Sequence, residues 1–190
     1  MSNAKMQPVL DHIDADFDNS LERLFALLRI KSISADPAFA DDCKAAADHL
    51  AKDISSLGFA AEVRPTAGHP AIVAKSNGHS VARPHVLFYG HYDVQPPDPV
   101  WLWDSPPFEP VLKNGYVFAR GATDNKGQIL SHILGVQEQL EANRDLPVNL
   151  HFVIEGEEEI GSANLGNFLS QNRDALKPEV VVVSDTGMIA

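Results

Sequence analysis

Val86-Leu87-Phe88-Tyr89-Gly90-His91-Tyr92-Asp93, residues 86–93, is the stretch that decides the fold. Its first residues form an unbroken apolar run that lacks the alternation of a strand with one wet face, which is the pattern of a strand covered on both faces. The run then gives way to a histidine and an aspartate. Residues 148–154 and 180–183 repeat the arrangement and lead into Glu155-Gly156-Glu157-Glu158-Glu159-Ile160-Gly161-Ser162 and Ser184-Asp185-Thr186. Shorter runs at 60–63 and 71–74 add two more strands. Helical spacing appears at Leu21, Leu24, Phe25 and Leu28, and at Cys43, Ala47, Leu50, Ile54 and Leu57. The second series ends at Gly58, where a helix C-cap favours glycine. Ile129, Ile133, Val136 and Leu140 predict a third helix, and Leu165, Phe168 and Leu169 a fourth. Strands alternating with helices imply an α/β fold, layered α/β/α around a partly parallel sheet. In such sheets ligands bind beyond the carboxyl ends of the strands, where the acidic motifs fall.

Composition narrows the function. At 190 residues and 44% hydrophobic content the chain can bury a core as one compact domain. Fifteen Lys and Arg stand against 26 Asp and Glu, a formal net charge of −11, which argues against nucleic acid and anionic membrane as partners. No apolar run approaches the roughly 20 residues that span a bilayer, and no signal-peptide pattern opens the chain. The expectation is a soluble cytoplasmic protein. The lone cysteine, Cys43, lies on an apolar helical stripe without an adjacent base and reads as a core thiol. The proline-rich segment 96–110, with Trp101, Trp103 and Phe108, reads as an ordered loop whose aromatics serve packing.

Carboxylate and imidazole groups hold Zn²⁺ and similar ions, and several converging on one sheet edge repel each other unless a cation sits between them. His91 and Asp93, two apart at a strand end, leave the backbone on the same side, so one can bind a metal while the other orients the ring. Asp124 sits in the loop Gly121-Ala122-Thr123-Asp124-Asn125-Lys126-Gly127, which lacks the Gly-Lys-Ser/Thr order of a phosphate-binding loop. Among Glu157, Glu158 and Glu159, one can ligate a metal while its neighbour accepts a proton from water. Taken singly, each motif has a plainer reading as a surface histidine, an acidic turn or a solvated acidic run. Together, at the ends of apolar runs, they point to a metal-dependent hydrolase.

In this order the motifs resemble the M20 family of metallopeptidases. Gly90-His91-Tyr92-Asp93-Val94-Gln95-Pro96, Trp103-Asp104-Ser105-Pro106-Pro107-Phe108 and Arg120-Gly121-Ala122-Thr123-Asp124 are most similar to its cytosolic dipeptidase and carnosinase branch. The likeness spans residues 17–190 as a zinc-peptidase-like catalytic domain and leaves 1–16 as an N-terminal extension or cloning remnant. It implies that His91 and Asp185 hold one zinc, Asp124 bridges two and Glu159 binds the second, with manganese or cobalt as alternative ions. Glu158 would then be the general base and Asp93 would orient His91. Glu158-Glu159-Ile160-Gly161-Ser162 matches the family's Glu-Glu-x-Gly-Ser, and a slip of one residue would hand the base's role to Glu157. The implied activity is hydrolysis of the amide bond of dipeptides or small peptides. N-acyl amino acid deacylation is the alternative among enzymes, and a non-catalytic metal-binding or interaction fragment is the alternative outside them. A cis peptide after the bridging aspartate, Asp124–Asn125, is also expected.

The chain departs from the family at two points. Asn125 stands where relatives often carry a second aspartate, and the sequence ends at Ala190, whereas relatives continue into a lid and dimerisation domain and then return with another histidine ligand. The resemblance therefore implies a catalytic domain truncated at its C-terminus, a homodimer formed through the missing domain, and little activity in these residues alone.

Overall fold

In the computed structural model of the chain, residues 3–185 are described; Met1 and Ser2, and Thr186 of the last acidic motif, lie outside them. Five α-helices and seven strands follow in the order α1 (Asn3–Ala15), α2 (Phe17–Leu28), α3 (Ala40–Ser56), β1 (Ala60–Arg64), β2 (Ala71–Lys75), β3 (His85–His91), β4 (Val111–Lys113), β5 (Tyr116–Phe118), α4 (Lys126–Asn143), β6 (Asn149–Glu155), α5 (Leu165–Leu176) and β7 (Val180–Val183). The main sheet has the strand order β1-β2-β6-β3-β7. β1, β2 and β6 pair antiparallel, while β6, β3 and β7 run parallel. The fold is thus α/β with a partly parallel sheet, as the alternating runs predict.

Each face of the sheet has its own core. Leu27 of α2, Leu50 and Ile54 of α3 and Ile133 of α4 pack with Ile72, Phe152 and Ile154 on one side. Phe168 and Leu176 of α5 pack with Val73, Leu87 and Val153 on the other. Burying both faces of β6 leaves no room for alternation, and all seven of its residues are buried. Cys43 is fully buried in the first core, where burial pushes its thiol up to about 12. It is a packing residue, as its place on the stripe predicts.

Three features depart from the sequence pattern. The continuous run 180–183 predicts a strand covered on both faces, yet Val180, Val181 and Val183 of β7 are about half exposed, because β7 is an edge strand. Residues Asn3–Ala15, left out of the fold reasoning, form α1, which lays Val9 into the protein and pairs His12 with the buried Glu138 of α4. The β4–β5 hairpin was not predicted either. Its turn, Asn114-Gly115, has positive φ at both residues (56° and 82°), the combination for which Asn-Gly is favoured, and this was a legible signal. In the proline-rich loop, Phe108 packs on Ile33 and Val94, and Trp103 donates its indole N–H to the Pro97 carbonyl, whereas Trp101 is 84% exposed. Among the described residues no helix is long and apolar enough to cross a membrane.

β6 also carries His151, which is buried and whose pKa is pushed down to about 4. Burial is the main cause, reinforced by Lys75, His85 and His79 and opposed by a hydrogen bond with the Leu176 backbone. The unfolded chain, with an ordinary imidazole near 6.5, binds the proton first, so between pH 6.5 and about 4 the native state loses stability as pH falls. The loss amounts to at most roughly 3 kcal/mol, at ~1.4 kcal/mol per pH unit. Urea unfolding at pH 7.5 and pH 5 should therefore show a smaller acid-induced loss for His151→Gln than for the parent chain. Equal losses would mean that His151 does not titrate in this window.

Candidate metal centre

β3 and β7 deliver His91 and Asp185 to neighbouring positions at the carboxyl edge of the parallel strands, and the loops before α4 and after β6 bring Asp124, Glu158 and Glu159 to the same place. His91 is fully buried. Its Nε2 lies 3.1 Å from Asp124 Oδ1, 3.7 Å from Asp185 Oδ2 and 3.8 Å from Glu158 Oε2. Donor atoms fall into two groups that could hold a metal ion, His91 with Asp124 and Glu159, and His91 with Glu158 and Asp185, each group having its atoms within 4.8 Å of one another. Both groups use the same imidazole.

The plainest test of fit is His91 Nε2 itself. It is buried and, among the described residues, has no hydrogen-bond partner, since none of the nearby carboxylate oxygens meets hydrogen-bond geometry. The opposite nitrogen, Nδ1, faces the Asp93 backbone carbonyl at 3.1 Å and Asp93 Oδ1 at 3.4 Å, both acceptors, so Nδ1 carries the proton. Nε2, aimed at a ring of carboxylates, is the nitrogen left to bind a metal once it gives up a proton. An oxygen-and-nitrogen donor set of this kind suits a divalent metal ion such as zinc.

Without a cation the charges act on each other. Burial disfavours a charged His91, but hydrogen bonding and charge from Asp93, with Glu158 and Asp124, outweigh it and push the imidazole up to about 9. Glu158 is raised by burial and by Asp185, Asp93 and Asp124, with His91 opposing. Burial raises Glu159 as well, assisted by Asp124 and Asp93 and countered by a hydrogen bond from Gln95 and the charge of His91. Burial, with the neighbouring anions, thus favours the neutral form of both glutamates.

Asp93 does more than face His91. Its fully buried carboxylate accepts the Ser34 hydroxyl at 2.6 Å and the backbone N–H groups of Glu158 and Glu159 at 3.2 and 3.1 Å. The short 3₁₀ turn Glu158–Ile160 is thereby pinned to the end of β3, and it closes at Gly161 with φ of 92°. Glu157 turns away from the cleft. It is buried, accepts both Asn164 amide contacts at 3.0 and 2.9 Å, and belongs to neither donor group. Glu158 and Glu159, not Glu157, thus face His91.

The Asp124–Asn125 peptide is cis. Asn125, buried, accepts the His91 N–H at 3.3 Å and donates to the Ser184 carbonyl at 3.0 Å. Next to it the buried Lys126 ammonium donates to the Leu27 and Ile30 carbonyls at the end of α2, and burial pushes it down to about 7 against the charges of Cys43, Asp93 and Asp42. A Cβ on Gly127 would lie 2.0 Å from the Ala122 carbonyl oxygen, so the loop closes tightly on itself only with glycine there. Gln95 donates to the Glu159 backbone oxygen at 2.9 Å and to its carboxylate at 2.8 Å. Sequence reasoning passed over Ser34, Gln95 and Ser184. Gln95 extends the period-two series of His91 and Asp93 and was legible; Ser34 and Ser184 gave no signal of their own. A groove of about 820 Å³, lined by Trp103, Lys113, Tyr116, Phe118 and Thr123 among others, opens beside the Asp124 loop.

Comparison with known proteins gives a consistent result. The family model described as Peptidase family M20/M25/M40 matches residues 87–189. A Cys-Gly metallodipeptidase of Schizosaccharomyces pombe is 33% identical over 186 residues, covering 92% of this chain and 39% of that protein. The dipeptidase Dug1p of Saccharomyces cerevisiae superposes with a TM-score of 0.88 at 28% identity, over 100% of this chain and 42% of that one. The crystal structure of human carnosine dipeptidase 1 gives 0.87 at 31% identity, over 97% and 42%. The chain spans about two fifths of the length of these relatives. With a family model matching more than half of its residues, from β3 through the acidic loops to the end of β7, the chain belongs to Peptidase family M20/M25/M40.

Proposed function

We propose that the protein to which these residues belong hydrolyses the amide bond of dipeptides or other small peptides at a two-zinc centre. In this reading His91 and Asp185 would hold one ion, Glu159 would hold the other and Asp124 would serve both, with manganese or cobalt as substitutes. The observation that carries it is the buried Nε2 of His91, without a hydrogen-bond partner and surrounded by Asp124, Glu158 and Asp185. The metallodipeptidase relatives support the same reading of the substrate. Zinc, when bound, supplies Lewis acidity toward an amide carbonyl and toward water.

The remaining work falls to side chains. Glu158, partly exposed and raised by its surroundings, is the general base: its carboxylate takes a proton from the attacking water and returns it to the departing amine. Asp93 holds the Glu158 N–H and keeps the His91 proton on Nδ1, so the base and the imidazole share one anchor. Asn125 and Gln95 hold the neighbouring loop ends and need not meet the substrate.

Two outcomes follow. In the full-length protein Glu158→Gln should leave zinc content after dialysis unchanged while kcat on a dipeptide falls by ~10²–10⁴. Loss of zinc in that variant would make Glu158 a ligand, as its place beside His91 and Asp185 allows, and unchanged turnover would remove it from the mechanism. The same assay run on N-acyl amino acids separates a deacylase, and zinc binding with no turnover of either substrate would favour a non-catalytic role.

Asp93→Asn removes one acceptor from a buried group that serves three donors. It should lower unfolding stability by about 1–3 kcal/mol and zinc affinity by ~10–100-fold, measured by urea titration and chelator competition. Parent values in both measurements would show that Asp93 neither anchors the glutamate loop nor orients His91.

A further inference from the structure

The ladder between β3 and β7 ends early. Its register runs from Val86 opposite Val180 to Tyr89 opposite Val183, while on the other side β3 stays paired with β6 as far as His91 opposite Glu155. The Tyr92 N–H turns toward β6 and bonds Glu155 O at 2.8 Å, so the preceding His91 N–H points to the β7 side, where no backbone partner meets it. Asn125 does. Its Oδ1 accepts the His91 N–H at 3.3 Å and its Nδ2 donates to the Ser184 carbonyl at 3.0 Å, so one side-chain amide spans the two strand ends as a peptide group would. The fit is close: Asn125 is 2% exposed, and a Cβ on Gly90 would lie 2.7 Å from its Oδ1. Ser184 is gripped a second time by His132 of α4, whose Nε2 lies 2.7 Å from the Ser184 hydroxyl.

From this geometry we infer that Asn125 is a positioning residue of the metal centre, a gauge that sets the spacing between His91 and Asp185 by taking the place of a rung in the sheet. The role calls for a short polar side chain that reaches both strand ends. One donor and one acceptor must face opposite strands; a carboxamide supplies both, and the aspartate that relatives often carry here does so with a proton on the oxygen facing the Ser184 carbonyl. An apolar side chain of similar size offers neither and leaves the buried His91 N–H and the Ser184 carbonyl without this partner. Groups that orient ligands from behind typically govern metal affinity by ~10–100-fold.

The inference rests on the metal-centre reading above, and the test keeps the two apart. Zinc affinity is measured by chelator competition on the full-length protein and on His91→Ala, Asn125→Leu and Asn125→Asp, with circular dichroism to follow the fold. His91→Ala tests the centre: unchanged affinity there overturns the site itself. Given loss in His91→Ala, Asn125→Leu should bind zinc ~10–100-fold more weakly than the parent, while Asn125→Asp, the residue relatives often carry, should keep most of the parent's affinity. Parent-like affinity in Asn125→Leu, or a loss in Asn125→Asp as large as in Asn125→Leu, would overturn the inference, because the first makes the side-chain bridge dispensable and the second makes any change at this packed position, not the bridge, the controlling factor. Should Asn125→Leu fail to fold, Asn125→Ala, smaller and equally without the bridge, takes its place.

Discussion

Like-charge repulsion at the carboxyl edge of the parallel strands is the constraint on which the rest of the structure depends. Asp124, Glu158, Glu159 and Asp185 converge on a single buried imidazole nitrogen that makes no hydrogen bond. Such an arrangement is costly in an empty cleft, and the raised Glu158 and Glu159 and the strongly raised His91 are its electrostatic signature. A divalent cation inverts the balance by making the same carboxylates mutually compatible.

Holding repelling groups in place requires support from behind, and the chain supplies it with polar side chains, buried except for Gln95. Asp93 gathers the Ser34 hydroxyl and two backbone N–H groups of the glutamate turn. Asn125 joins β3 to Ser184, Gln95 restrains Glu159, and Lys126 ties the start of α4 to the end of α2. Each of these partners is satisfied by geometry that the two-faced core makes rigid. Glycine supplies the clearances: a Cβ on Gly156 would overlap the Tyr92 hydroxyl at 2.1 Å, which itself donates to the Pro70 carbonyl. The site is therefore held in place by these polar anchors and by the strands below it, of which β6 is buried on both sides, not by loops that are intrinsically stiff.

Much of this was legible in the amino-acid order. The runs at 60–63, 71–74, 86–89, 148–154 and 180–183 became strands within two residues of their predicted ends, and the apolar periodicities became α2 to α5. The position of three acidic motifs after such runs gathered His91, Glu158, Glu159 and Asp185 at one edge, whereas Asp124, in the loop before α4, follows none of these runs. Less was legible where burial is not periodic. The polar segment 3–15 carries a weak apolar stripe, and it is held as a helix by packing on α4 and by His12 meeting Glu138. β7 shares its valine run with the buried strands but takes the edge of the sheet, a matter of strand order that composition does not encode.

What the sequence determined by itself is the class of fold, the family, and a set of candidate metal ligands, because hydrophobic runs report local burial and carboxylates at their ends report chemistry. Only the tertiary structure decided which of three consecutive glutamates turns away from the cleft. Glu157 is drawn into the protein by Asn164, while Glu158 and Glu159 are held to the cleft by Asp93. The same holds for Asn125, whose two partners lie on different strands. In irregular backbone a side chain's direction is set by φ values and by partners remote in the chain, and neither leaves a period for the sequence to display.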